Sequence, residues 1–199
     1  MSVVFPIAYF GSISYYKDLI AETSFIFEVH EHFVKQSIRN RTRIATANGI
    51  MELSVPVIKP NGSKTATKEI LVSDAKDWRK DHWRAIESAY KHAAYFEYYG
   101  EEVKMLIYQN TSDLVRFNLL IMGRIQTWLD LPYSYVCSSE FVPMDNLTTD
   151  YRFGYSKHSY KNEYQYFQVF QDKYSFEGDL SILDALFNLG PMARKLFIV

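Results

Sequence analysis

The strongest local charge pattern in the chain is Lys35-Gln36-Ser37-Ile38-Arg39-Asn40-Arg41-Thr42-Arg43. If this segment is extended, Arg39, Arg41 and Arg43 project to one face and Asn40 and Thr42 to the other, which sets three planar guanidinium forks in a row. Such forks bind phosphate or carboxylate in bidentate fashion and keep their charge near neutrality. The row therefore suits a nucleotide-sugar diphosphate, a coenzyme A or an acidic sugar. It equally fits a solvated sheet face whose cations pair with Glu28, Glu31 or Glu52.

Glu28-Val29-His30-Glu31-His32 is the one cluster with metal-like spacing. Adjacent positions on a strand diverge and no second histidine-rich element accompanies it, so a hydrogen-bonded role is favoured and no metal site is expected. His82 falls near the start of a helical stretch, one residue before the apolar Trp83. There it fits a general base that deprotonates an amine or hydroxyl acceptor, or a satisfied boundary residue. Cys137, followed by Ser138 and Ser139, reads as a small hydrophobe rather than an acyl-carrying nucleophile. No G-x-S-x-G, HExxH, EF-hand or Walker glycine pattern occurs.

These residues need elements to position them. Val3-Val4-Phe5, stopped by Pro6, then Ile13, Tyr16, Leu19 and Ile20 behind a Ser12 cap, then Ser24 to Val29, spell strand, helix and parallel strand, a βαβ unit. Arg41 to Ala47, Asn48-Gly49 and the alternating Met51, Leu53, Val55 and Val57 spell a type I′ hairpin. A turn at 59–63 leads to a third strand at Glu69 to Val72. Helical spacing then runs behind Asp77 (Trp83, Ile86, Tyr90, Ala93), through Val103, Leu106 and Ile107, and from Asp113 to Trp128. A strand is expected at Tyr133 to Cys137 and another at Tyr166 to Phe170. Ser181-Ile182-Leu183-Asp184 has the form of a capping box and Gly190-Pro191 that of a stop. Between Ser138 and Tyr164 no period holds. Tyr151, Phe153, Tyr155 and Tyr160 stand there among Arg152, Lys157, His158 and Lys161, a mixture that fits either closure over an anionic ligand or a surface crust.

The fold class is α/β: one domain over 1–199 with a mixed sheet, an N-terminal βαβ unit, an antiparallel meander, a helical middle and a C-terminal helix. The 199 residues are 48% hydrophobic, enough for one sizeable core, which excludes a disordered chain. With 22 Lys+Arg against 23 Asp+Glu, broad electrostatic binding to nucleic acid or an anionic membrane is not expected, though a local basic patch is compatible. One cysteine excludes an intrachain disulfide framework. The start, Met1-Ser2-Val3-Val4-Phe5-Pro6, has neither a basic leader nor a long apolar run, so a cytoplasmic location and no membrane span are expected. The 16 tyrosines suit stacking on a sugar, base or pantetheine arm, or a core built from large pieces.

Several segments together resemble the WbqC-like family: Pro6 to Gly11 with Tyr16, Lys35 to Arg41, Asn48-Gly49 through Val57, and Trp78-Arg79 with His82. Further on, Tyr90 with Tyr95-Phe96, Ser138-Ser139-Glu140, Tyr166 to Phe170, and Leu180 to Asp184 with Phe187-Asn188 and Gly190-Pro191 continue the same order. The pattern differs in carrying Glu28 and Glu31 in place of an Asp-Asp pair, and a tyrosine-rich loop in place of a glycine-tyrosine stretch. The resemblance implies a bacterial protein of surface-polysaccharide synthesis, O-antigen included, with glycyl or other acyl transfer to an amino sugar or sugar nucleotide.

Joined to that resemblance, the residues assign Lys35, Arg39 and Arg41 to an anionic donor or acceptor, Asn40 to its orientation and His82 to the proton. Tyr9, Tyr90 and Tyr166 are expected to line the cleft. The expected partner is a small molecule, a nucleotide sugar or acyl donor, and no nucleic acid; no cofactor is specified. The alternative is a non-catalytic protein that binds a nucleotide or glycan precursor for a partner enzyme.

Overall fold

The computed structural model describes residues 2–145, 148–155 and 165–197. The βαβ start forms as the pattern requires. Strand β1 (Ser2–Phe5) leads through 6–12 into helix α1 (Ile13–Glu22), whose Ser12 side chain accepts from the Tyr15 N–H, and then into β2 (Ser24–Phe27). Strands β1 and β2 pair in parallel, with Val4 opposite Ile26 and Phe5 opposite Phe27. Strong strand formers and the buried Phe5, Phe25 and Phe27 hold this pair in the core.

The chain then leaves the sheet. Strands β3 (Arg41–Thr46) and β4 (Gly49–Ser54) make the expected hairpin, but not with the expected turn. Thr46 pairs with Gly49, so the two loop residues are Ala47 and Asn48, neither of which has positive φ; only Gly49 does, at φ 100°. A type I′ turn needs positive φ at both loop positions, so the register here excludes it. The expected three-stranded meander also splits. Strands β5 (Val57–Ile58) and β6 (Leu71–Val72) form a ladder of their own, after Val55-Pro56 interrupts the hairpin, and Leu71 is also bridged to Asp113.

Three helices follow: α2 (Trp78–Tyr90), α3 (Phe96–Tyr108) and α4 (Leu114–Leu129), the last capped by the Asp113 carboxylate on the Arg116 N–H. Strand β7 (Ser134–Cys137) then returns beside β2, and β8 (Thr148–Asp150) beside β1. The result is a four-stranded sheet in the order β7-β2-β1-β8, parallel throughout, with antiparallel pairing in two separate ladders and in isolated bridges. Strand β8 forms inside the stretch where the sequence shows no period. The expected strand at Tyr166 to Phe170 does not form; its side chains instead bond to neighbours. Helix α5 (Ile182–Leu189) closes the described chain, followed by a 3-10 helix at Gly190–Leu196. Among the described residues no helix is long and apolar enough to cross a membrane.

Candidate functional site

Ligands of open parallel sheets bind outside the carboxyl ends of the strands, where the strand order reverses. Here β1 is followed in sequence by β2 on one side and flanked by the late strand β8 on the other. A recess of 240 Å³ is lined by Ser12, which follows β1, and Tyr155, which follows β8. Its other walls come from Gln36 to Ile38, from Arg41, Thr42 and Arg43 of β3, from Glu52 of β4, and from Asp179 and Ser181.

Backbone bonds lock these walls together. The Ile13 N–H donates to Leu180 O (3.0 Å), Ile182 N–H to Gly11 O (2.9 Å) and Ser181 N–H to Arg43 O (2.8 Å), so two helix starts and one strand meet at the recess. The Phe10 carbonyl accepts from the hydroxyls of both Thr42 (2.7 Å) and Ser181 (3.0 Å). Phe10 sits at φ 43°, and two lining residues, Gln36 and Asp179, at 55° and 54°. Non-glycine residues in this region store about 1–3 kcal/mol each and cluster at ligand sites. Asp179 adds a second hold by accepting from the Ser14 N–H at 3.0 Å.

The arginine row does not survive as three equivalent forks. Residues 35–40 turn rather than extend, and Arg39 is 1% exposed. Its Nε donates to Glu31 at 2.9 Å, and its Nη2 to the same carboxylate and, at 3.4 Å, to Arg152 O. Arg41 and Arg43, two apart on β3, share a face, and both line the recess. Arg41 pairs with Glu52 at 2.5 Å, and its buried Nε has no hydrogen-bond partner. Arg43 approaches Glu177 at 3.8 Å. The two guanidiniums favour an anionic group in this space, while Glu52 and Asp179 place negative charge beside it.

The other expected site residues lie elsewhere. Lys35 is exposed beside Lys59 and does not line the recess. Asn40 is buried and donates to Val55 O (2.9 Å). His82 is 5% exposed in edge contact with Trp78 and bonded to the Tyr9 hydroxyl through Nδ1 at 2.9 Å. Burial lowers its pKa to about 4, against a backbone bond with Ser54 that favours the proton. The ring is thus neutral near pH 7, and it fixes Tyr9 within the core. Tyr166 donates to the Asp184 carboxylate (2.7 Å), as does Gln168 (2.9 Å), and the buried Tyr90 hydroxyl adjoins the same group. Gln168 in turn lines a second cavity of 280 Å³ with Ala45, Thr46, Phe170, Tyr174 and Glu177, at the far end of β3. The expected capping box is half-made: Ser181 Oγ accepts from Leu183 N–H, but Asp184 serves the tyrosines instead.

At the carboxyl end of β2, Glu28 accepts from the N–H groups of His30 (2.6 Å) and Val142 (2.7 Å) and from Ser138 Oγ (2.9 Å). Arg152 stands 3.6 Å from Glu28 and chelates Asp150. Glu28 and Glu31 are thus committed to separate guanidinium partners, and no metal-ligating cluster occurs among the described residues. Cys137 is exposed on the edge strand rather than buried. Lys157, His158, Tyr160 and Lys161 lie outside the described residues.

Asp179 is not among the residues that the sequence singles out, and Arg43, though part of the cationic row, is not among those assigned to the anion. The alternation along β3 that pairs Arg41 with Arg43 is the signal that finds the second. Nothing in the sequence ties Asp179 to residues more than 130 positions away.

The model of the WbqC-like protein family matches residues 8–165. A protein named "Uncharacterized protein Rv1507c" from Mycobacterium tuberculosis (strain ATCC 25618 / H37Rv) is 28% identical over 207 residues, covering 89% of each chain. No solved structure gives a significant match.

Proposed function

The chain belongs to the WbqC-like protein family, and from that premise we propose that it is a transferase of bacterial surface-polysaccharide synthesis, one that passes a glycyl or other acyl group to an amino sugar or sugar nucleotide. The observation that carries this reading is the meeting of Arg41 and Arg43 in one recess at the reversal point of a parallel sheet. Their forks hold the diphosphate or carboxylate of the substrate. Buried Arg39 and Asn40 fix the segment that presents them, and Lys35 attracts the anion from outside. At 240 Å³ the recess takes a sugar phosphate rather than a whole nucleotide, whose base extends beyond it.

In the transfer, the acceptor amine forms a bond to the acyl carbon, the bond from that carbon to the donor's leaving group breaks, and the amine gives up a proton. Asp179 is the carboxylate placed to accept or orient that proton, since its Oδ2 is not used by the Ser14 bond. His82 then acts indirectly, holding Tyr9 and through it the floor beneath Phe10. Incubating the protein with amino-sugar nucleotides and acyl or aminoacyl donors, followed by mass spectrometry, tests the reading. A product heavier by the acyl group and absent with Arg41→Ala supports it, whereas intact substrates under all conditions contradict it.

One observation favours the second reading, a binding protein without turnover. Among the described residues no histidine lines the recess, and the one assigned to the proton is bonded into the core. Tight binding without product would select it.

A further inference from the structure

The segments 29–35 and 59–68 are joined by Phe33 N–H to Thr65 O (2.9 Å), Thr67 N–H to Glu31 O (2.9 Å) and Lys68 N–H to Val29 O (2.8 Å), with His32 bridged to Ala66. This joins the two segments that carry Lys35, Lys59, Lys64 and Lys68 into one continuous stretch of surface. Three of them are exposed and Lys59 is half-buried. Lys59 lies against Lys35, a contact that lowers the pKa of Lys59. Among the described residues the lysine ion pairs are Lys80–Asp77 and Lys104–Glu101, so none of these four is neutralised. The neighbouring Glu69 carboxylate is bonded to Asn61 (3.1 Å). Alongside, Ile58 and Leu71 stand opposite each other in the β5–β6 ladder, 49% and 37% exposed.

We propose that this patch is a docking surface for an anionic lipid bilayer, with the four lysines against headgroup phosphates and Ile58 and Leu71 in the interfacial layer. Charge complementarity selects an anionic partner, and like charges left unpaired within contact distance gain most from meeting one. The composition then selects lipid over nucleic acid. The patch presents lysines, which act as hydrated point charges, and aliphatic side chains; among the described residues no arginine belongs to it, Phe33 is buried, and His32 is its one exposed ring, short of the stacking platform that single-stranded bases need. Basic residues flanking exposed aliphatics are what peripheral attachment requires. No described helix crosses a membrane, so the attachment is to the surface.

Cosedimentation of the whole protein with vesicles of phosphatidylglycerol, and separately of phosphatidylcholine, tests this. Binding to the first and not the second is expected, weakening as salt shortens the screening length below about 10 Å. The combined variant Lys59→Gln/Lys64→Gln/Lys68→Gln, on residues outside the recess, is expected to lower partitioning at least about tenfold. Lys17→Gln/Lys91→Gln/Lys195→Gln, with the same change of net charge on other exposed lysines, is expected to lower it less than about threefold. Ile58→Ser/Leu71→Ser is expected to weaken the binding that persists in high salt. Equal sedimentation with both lipids, none with phosphatidylglycerol, or equal losses in the two lysine triples would overturn the proposal. So would retardation of a DNA or RNA duplex by a protein that ignores both vesicles.

Discussion

Arg39 and Arg41 stand two residues apart and meet different surroundings: Arg39 is sealed in the core against Glu31, while Arg41 lines an open recess against Glu52. Side-chain exposures of 1% and 27% separate a structural cation from one available to a ligand.

The two arginines therefore respond oppositely to removal. Arg39→Ala leaves the Glu31 carboxylate buried without its partner and is expected to cost about 3–5 kcal/mol of stability. Arg41→Ala breaks a solvent-screened pair and is expected to cost no more than about 1 kcal/mol. Urea denaturation of both variants checks the contrast, and equal losses would show that the environments are not as different as described.

His82 ties stability to pH. Its folded pKa of about 4 lies below the ordinary 6.5 because the ring is buried. As pH falls below 6.5 the unfolded chain takes up a proton that the folded chain refuses until about 4. The stabilisation is complete above 6.5 and is lost across that window, by up to about 3 kcal/mol. His82→Gln lacks this term, so the stability gap between it and the wild type is expected to narrow from pH 7 to pH 4.5. A gap that stays constant in denaturant titrations at the two pH values would contradict the burial.

Asp184 supplies a dependence of the opposite sense. Burial raises its pKa, and the donors Tyr166 and Gln168, with the Tyr90 hydroxyl nearby, oppose the rise by favouring the charged form. Tyr166→Phe removes one of them at an expected cost of about 1–3 kcal/mol. That cost should grow as pH rises through the carboxyl's folded pKa, where the charge must be carried with one donor fewer. Thermal unfolding from pH 4 to pH 8 measures it, and a cost that shrinks with rising pH would rule the arrangement out.

Two glycines carry opposite expectations. At Gly190, φ is 57° and an added Cβ would fall 2.5 Å from the Tyr95 ring, so Gly190→Ala is expected to lose about 2 kcal/mol or more. Gly123 lies within α4 with nothing in 4 Å of its would-be Cβ, and Gly123→Ala is expected to gain about 0.5–1 kcal/mol. Melting temperatures decide both signs.

What the sequence made legible was local. The helix faces, the Ser12 and Asp113 caps and the βαβ start follow from apolar spacing and capping chemistry, and they stand in the structure as spelled. Choices between local geometry and tertiary partners were not legible. The Asn48-Gly49 pair yields to a register that puts Ala47 in the loop. Asp184 gives up its capping role to tyrosines of another segment. Arg39 leaves the expected row because Glu31 offers a buried partner, and no alternation rule contains that choice. Asp179 reaches the recess only because α5 begins beside α1.

The proposed transfer requires an anion in the recess, held by Arg41 and Arg43. A thermal-shift series with uridine diphosphate sugars and acyl-coenzyme A thioesters measures this most directly. For a member present at about 100 times its dissociation constant, the wild type is expected to gain about 5–10 °C. Arg41→Ala and Arg43→Ala, folded and nearly as stable without ligand, are expected to lose most of that gain. Equal gains in all three proteins, or none in the wild type with any member, would contradict it.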